Sequence, residues 1–487
     1  TPDMTSADLL RKFITAYIDP DHKIIPSHRI WIGHGLSVMI GSLFARCRPR
    51  YTNDYIKVLC EFYSNDPVKN PRVQLYLLET IKSLPRTCSG DALEQFAGFV
   101  IRRLDPSDSS LRLAALDAAR SLVPGLGKHS SAFKQLTAVL SQDMQKSRLP
   151  AENYLRYQVA RLLEPDGKAA EKYRAFCKED LSRLSDIFLS NLKTATDRVS
   201  KRIQVELLLE HALDKGGGNA FYTAMHFCNL IKVSPVEDVR IAAGEALVRL
   251  VPGLSLEQRN DVAVELVRAL ELEGHQFTKY IPYYLGQIIL HLQPVELEEV
   301  LDYLAEKTKQ SGPQINSLIL KTAGITLSYY VKYKSKFPCS KGTESDRMEK
   351  ILGILLSGFV NYDQQIRQIA FSVIGKEIFG SAYLDLEQKG CIFKLIAKKV
   401  LTLLPDAWDN ELTLFTNAYA LSSIYKFISD YTFHRGSINL PHPERIAFFP
   451  GTFDPFSLGH KEIAKEIRRL GFEVFLAIDE FSWSKRT

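Results

Sequence analysis

Cysteine is scarce in this chain: seven residues in 487, at 47, 60, 88, 177, 228, 339 and 391, with no C-x-x-C pair. An odd count without close spacing excludes a disulfide frame and a cysteine zinc site, and reads as reduced thiols. Long apolar runs are missing too. Spanning a bilayer takes ~20 apolar residues, and the longest candidate, Gly35–Ala45, is about half of that. Charge of one sign is thin: 62 Lys and Arg face 56 Asp and Glu, leaving +6. That bias is too weak to draw nucleic acid. The start, Thr1-Pro-Asp-Met, lacks the charged-then-apolar order of a signal peptide. It also lacks an initiator methionine, which reads as a piece of something longer. Neither H-E-x-x-H nor G-x-S-x-G occurs, and the histidines show no metal-like pairing, so no protein metal site is expected. The expected setting is cytoplasmic, with no membrane contact and no nucleic-acid partner.

What is present is helical period. Apolar residues recur at helix spacing through most of residues 1–430, punctuated by proline and glycine. The run Leu111-Arg-Leu-Ala-Ala-Leu-Asp-Ala-Ala-Arg-Ser-Leu-Val-Pro-Gly-Leu126 aligns with Val239-Arg-Ile-Ala-Ala-Gly-Glu-Ala-Leu-Val-Arg-Leu-Val-Pro-Gly-Leu254. A looser copy is Ile366-Arg-Gln-Ile-Ala-Phe-Ser-Val-Ile374. The copies start 128 (111 to 239) and 127 (239 to 366) residues apart, close to three periods of ~43, a two-helix repeat length. Ala114-Ala115 and Ala242-Ala243 allow close helix approach. Arg112, Arg240 and Arg367 share one register and are placed to meet an acidic group on the next repeat. The pattern resembles HEAT-like repeats, which stack into arrays and often bind proteins. Lys215-Gly-Gly-Gly218 reads as a flexible turn, and residues 333–347, with Pro338, as a surface loop.

The densest chemical signal is Gly451-Thr-Phe-Asp-Pro-Phe-Ser-Leu-Gly-His460. It lies between a strand-like run, Arg445–Phe449, apolar enough for burial on both faces, and a helix-like run, Lys461–Leu470. A second strand-like run, Glu473–Ile478, follows. The first amides of a helix have no internal partners and point outward with the positive dipole end behind them, which favours an anion. Gly451 allows the turn and Gly459 removes bulk. Ser457 and His460, three residues apart, can face one phosphate. Gly471 is placed to end the helix.

This segment resembles the nucleotidylyltransferase superfamily, whose motif is Gly-x-Phe-Asp-Pro-x-(His/Thr)-x-Gly-His. Gly451, Phe453, Asp454, Pro455, Gly459 and His460 match it, and Ser457 replaces the usual histidine or threonine. The implied fold is mainly α: a HEAT-like helical solenoid over 1–433, a linker over 434–444, and the first βαβ unit of a Rossmann-like α/β nucleotidylyltransferase domain over 445–487. The implied reaction moves AMP or CMP from ATP or CTP, with Mg²⁺, to a phosphorylated small molecule and releases pyrophosphate. The favoured acceptor is nicotinate mononucleotide, in NAD synthesis. His460 and Ser457 would contact the nucleotide phosphates as catalytic residues. Gly451, Thr452, Phe453, Asp454, Gly459 and Lys485 would complete the nucleotide and phosphate site, with Asp454 bracing the turn. A complete domain of this kind needs roughly 150 residues and about five parallel strands. The later Ser/Thr–Arg signature is absent. The segment therefore reads as truncated, and residues 1–487 alone are expected to be inactive. The helical array is expected to recruit a protein partner or regulate the enzyme. The rival reading is a non-catalytic repeat scaffold with a vestigial or regulatory nucleotide-binding module.

Three further signals are set aside. The Gly-His pair ending at His34 lacks Phe-Asp-Pro before it. Gly125-Leu-Gly-Lys128 has the wrong spacing for a phosphate loop, and His129 stands where Ser or Thr would hold magnesium. Tyr283-Tyr284 and Tyr329-Tyr330 read as repeat core or rim.

Overall fold

The structure is a computed structural model that describes residues 6–18, 49–65, 71–82, 84, 88, 90–104, 109–142, 144–182, 198–272, 278–333, 341–359, 361, 363–403, 411–440, 445–451 and 457–478. The chain divides into two compact units, residues 1–297 and 298–487.

In the first unit the helices are α1 (Ser6–Ile18), α2 (Pro49–Asn65), α3 (Pro71–Lys82), α4 (Gly90–Ile101), α5 (Ser109–Leu122), α6 (Ser131–Gln142), α7 (Pro150–Leu163) and α8 (Lys168–Ser182). Next come α9 (Arg198–Lys215), α10 (Gly217–Val233), α11 (Glu237–Leu250), α12 (Leu256–Leu270) and α13 (Ile281–Ile288). The division falls within α14 (Pro294–Gln310). Alternate helices form two layers. One layer stacks α3, α5, α7, α9, α11 and α13 in order; the other includes α2, α4, α6 and α8, with α10 against α12. Three steps of the first layer separate α5 from α11, so the self-similarity at 128 residues is three helix-pair repeats.

Local chemistry explains the repeated turns. In both strong copies Val-Pro-Gly closes a short 3₁₀ turn, Val123–Gly125 and Val251–Gly253, with proline in the first positions. Proline needs no amide partner there. The next amide, of Leu126 or Leu254, returns to the valine carbonyl at 3.1 and 3.0 Å, and both leucines are buried. Ser255 then opens α12 with a capping box to Gln258. Small residues set the spacing: Ala115 and Ala243 are buried, and the Tyr284 ring lies against Gly244, where a Cβ would overlap it. The glycines at 216 and 217 take φ of 62° and 57°, a region that favours glycine. They turn α9 into α10 with almost no intervening loop.

The shared arginine register behaves in two ways. Arg112 makes a two-bond contact with Glu152 of α7 at 2.8 and 2.9 Å, the expected link to the next repeat. Arg240 and Arg367 donate to backbone carbonyls six residues earlier, Ser234 and Asn361. They brace the turn that leads into their own helix.

A row of charge runs through the stacked layer. Asp117 of α5, 1% exposed, is met by Lys82 of α3 at 2.8 Å, by Arg120 at 2.8 Å and by Arg202 of α9. Arg120 and Arg202 also hold Glu206 at 2.6 and 2.8 Å. Beyond them, Tyr154 of α7 donates to Glu210 at 2.7 Å. Burial alone would push Asp117 up. The cations of Lys82, Arg202 and Arg120 outweigh it and hold the carboxyl well below the ordinary carboxylate range. On α11, burial raises Glu245, and the nearby Glu206 charge adds to the rise.

In the second unit, α15 (Pro313–Tyr333), α16 (Lys341–Phe359) and α17 (Gln364–Val373) pack on one another. α17 runs on into a π-helical turn, Ile374–Phe379, which packs against α19 (Glu411–Arg435). The wider turn brings Gly375 against Ala420, a contact that a Cβ at 375 would block. Lys389 of α18 (Leu386–Leu403) donates to the carbonyls of Phe379 and Ser381 that end this turn. The expected loop through 347 is corrected here: α16 already begins at Lys341. Its first turns are polar, and the buried apolar positions start later, at Ile351 and Leu352, so composition alone imitated a loop. Among the described residues, no helix is long and apolar enough to cross a membrane.

Residues 436–440 carry no regular structure after α19. Then come β1 (Ile446–Gly451), α20 (Leu458–Arg469) and β2 (Glu473–Ile478). The strands pair in parallel, with Phe448 opposite Phe475 and Gly451 opposite Ile478. The helix between them is the crossover that a parallel pair needs. The expectation that the first strand is buried on both faces is overturned: Ile446 is 49% exposed and Phe448 73%. Strand side chains alternate between faces. The Phe449 face meets α20 through His460, whereas on the other face Phe448 meets its cross-strand partner Phe475, with ring centroids 6.0 Å apart.

Candidate phosphate-binding turn

The site is built where β1 ends and α20 begins. Gly451 is the last residue of β1. Thr452, Phe453 and Asp454 lie outside the described residues, as do Lys485 and His34. Ser457 is the N-cap of α20, with extended backbone at φ −78° and ψ 163°. Its Oγ accepts the His460 amide at 3.3 Å. In return its own amide donates to His460 Nδ1 at 3.1 Å, and its Oγ lies 3.0 Å from the same nitrogen. This is a capping box in which histidine takes the place of the usual glutamate. The motif spacing therefore brings Ser457 and His460 together, as expected, but bonds them to each other. That use of the serine was hidden in the sequence, since histidine is not the residue usually sought at the third helical position.

His460 is half-buried. Its ring meets the edge of Phe449, with centroids 6.2 Å apart and planes at 62°. The helix mouth is thus fixed to the strand end by an aromatic contact. Gly459 sits in the first turn of α20. Among the described residues, a Cβ there would find only Ser457 Oγ, at 3.6 Å, an ordinary contact. Packing among the described residues does not call for glycine at this position, although glycine costs a helix up to ~1 kcal/mol against alanine. Gly471, at φ 86°, ends α20, its amide returning to Arg468 at 2.9 Å. At the base of the sheet, the Glu473 amide donates to the Arg445 carbonyl at 2.9 Å.

The described groups at this helix mouth are first-turn amides, a hydroxyl and an imidazole. That set suits phosphate oxygens. It offers no carboxylates to a bare cation, and among the described residues no group of three or more His, Cys, Asp or Glu could hold a metal ion.

Gly125 ends a 3₁₀ turn. Tyr284 and Tyr330 are buried in the repeats, with the Tyr284 hydroxyl donating to the Ile241 carbonyl at 3.2 Å. Cys60, Cys88, Cys177, Cys228 and Cys391 are free thiols.

Residues 448–486, which hold most of β1 and all of α20 and β2, match the family model described as cytidylyltransferase-like. Among solved structures, the chain is similar to Kap121p bound to Pho4p, at 12% identity and a TM-score of 0.39, over 89% of this chain and 47% of that one. Kap121p alone gives 12% and 0.39, over 88% and 47%. An engineered protein gives 12% and 0.28, over 87% and 99%. The chain thus spans about half the length of the Kap121p structures that it matches. No curated protein matches it.

Proposed function

We propose that residues 445–487 bind the phosphates of ATP or CTP as part of a nucleotidylyltransferase, which passes AMP or CMP to a phosphorylated small molecule and releases pyrophosphate. The observation that carries this reading is the imidazole of His460, held at the mouth of α20 directly beyond β1, inside the stretch matched by the family model. Glycine at 459 supports it, because close approach of a ligand would explain a residue that packing among the described residues does not require. In this reading the helix amides and His460 stabilise charge that builds on the phosphates, while Gly451 and Gly459 leave room for them. Thr452, Phe453, Asp454 and Lys485 are proposed to complete the site. Magnesium would arrive on the triphosphate and neutralise part of its charge. Nicotinate mononucleotide is the proposed acceptor.

Calorimetric titration of the chain with CTP and with ATP tests the reading. One of them should bind, and His460→Ala should weaken it by at least about tenfold, the cost of one charge-assisted hydrogen bond. Absence of binding to both would overturn it. Acceptor identity is read by adding nicotinate mononucleotide to the nucleotide-bound chain.

The helical layers are proposed to bind a protein partner. Tyr222 on α10 stands exposed, and tyrosine is enriched among the anchors of protein interfaces. If nucleotides fail to bind while a partner is held, the scaffold reading replaces the enzyme.

A further inference from the structure

We propose that Ser457 is a positioning residue: in the neutral imidazole of His460 it fixes the proton on Nε2. The argument rests on which groups can only donate. The Ser457 backbone amide has no acceptor capacity, and it points at His460 Nδ1 from 3.1 Å. A proton on Nδ1 would set two donors against each other. The hydroxyl, 3.0 Å from the same nitrogen, can rotate to suit either state, but the amide cannot. Nδ1 is therefore the acceptor, and in the neutral ring the proton stands on Nε2.

The serine oxygen also accepts the His460 amide. One of its lone pairs is thus engaged within the box, and the Phe449 ring limits rotation of the imidazole from the side. Ser457 acts on the ligand through His460. What the Nε2 proton would meet rests on the nucleotide reading above; the placement of that proton does not.

The experiment uses the whole chain with ¹⁵N-labelled histidine and correlates the ring nitrogens with the ring carbon-bound protons. Wild type should show His460 as a single neutral tautomer, unprotonated at Nδ1. Ser457→Thr, which keeps amide and hydroxyl, should preserve it. Ser457→Pro fits the backbone at φ −78° but removes both the amide and the hydroxyl that reach Nδ1, and should give a tautomer mixture. A wild-type proton on Nδ1 would overturn the proposal without recourse to any variant, and so would identical spectra for wild type and Ser457→Pro. Adding CTP, ATP or inorganic pyrophosphate separates the two readings. If the tautomer is as stated and none of the three moves the Nε2–H signal, the positioning role stands and the nucleotide reading falls. If the signal moves but the proton sits on Nδ1, the nucleotide reading stands and the positioning role falls.

Discussion

The repeat layers bury charge, and the C-terminal βαβ unit exposes apolar side chains. In the first unit Asp117 and Glu152 are buried carboxylates, each surrounded by cations from its own and neighbouring helices. In β1 and β2, Ile446, Phe448 and Phe475 face solvent by 41% or more. One region is held by contacts between residues far apart in sequence. The order of the other comes from short-range devices: a parallel register, a capping box and an aromatic pair. A substitution should therefore act on cohesion in the first region and on the phosphate turn in the second, with little exchange between them.

The strongest way to break this contrast is Asp117→Ala. It leaves Lys82, Arg120 and Arg202 crowded around a lost partner, which costs about 3–5 kcal/mol for a buried ionic cluster. Urea unfolding monitored by circular dichroism should show that loss; a change below about 1 kcal/mol would mean that the cluster does not hold the layer together. Acid sharpens the same point. Asp117 has its folded pKa depressed below the ordinary 3.8, so its contribution is fully present above the unfolded value and drains away as pH falls from there toward the folded value. Wild type should lose stability faster than Asp117→Asn as pH falls below about 4, as read from melting temperatures. Equal slopes would remove Asp117 from the account.

Gly244→Ala comes next. Its Cβ would overlap the Tyr284 ring, and overpacking costs about 1–3 kcal/mol, seen as a lowered melting temperature. Ser457→Ala has the smallest effect, about 1 kcal/mol for a lost N-cap. It should appear as faster amide exchange in α20 alone, with the melting of the repeat layers unchanged. A shift of the whole transition would show that the two regions are energetically joined.

Much of this was legible in the sequence because it depends on short spacing. Apolar recurrence at three and four residues announced the helices, and the paired Val-Pro-Gly-Leu runs announced turns that match to within 0.1 Å in their closing bond. Glycines at 451, 459 and 471 and a histidine at 460 marked strand end, helix mouth and helix end. Partnerships across stacked helices were not legible. Arg120 finds Glu206 at 86 residues' separation, and no local period tells which turn of which helix will lie opposite. The exposure of Phe448 was hidden for a related reason: an apolar strand shows its need for cover, but not whether that cover is present. The first turns of α16 were missed because polar helix and polar loop share a composition.

The ties of Arg120 to Glu206 and of Arg202 to Asp117 have a mechanical consequence. In a simple repeat stack each unit touches only its neighbours and can peel from an end. Here α9 packs on α7 and also touches α5, so a cross-brace bypasses the repeat between them. Stretched between its termini, this stretch should resist as one block and give way in a single rupture, where an unbraced stack would yield one helix pair at a time.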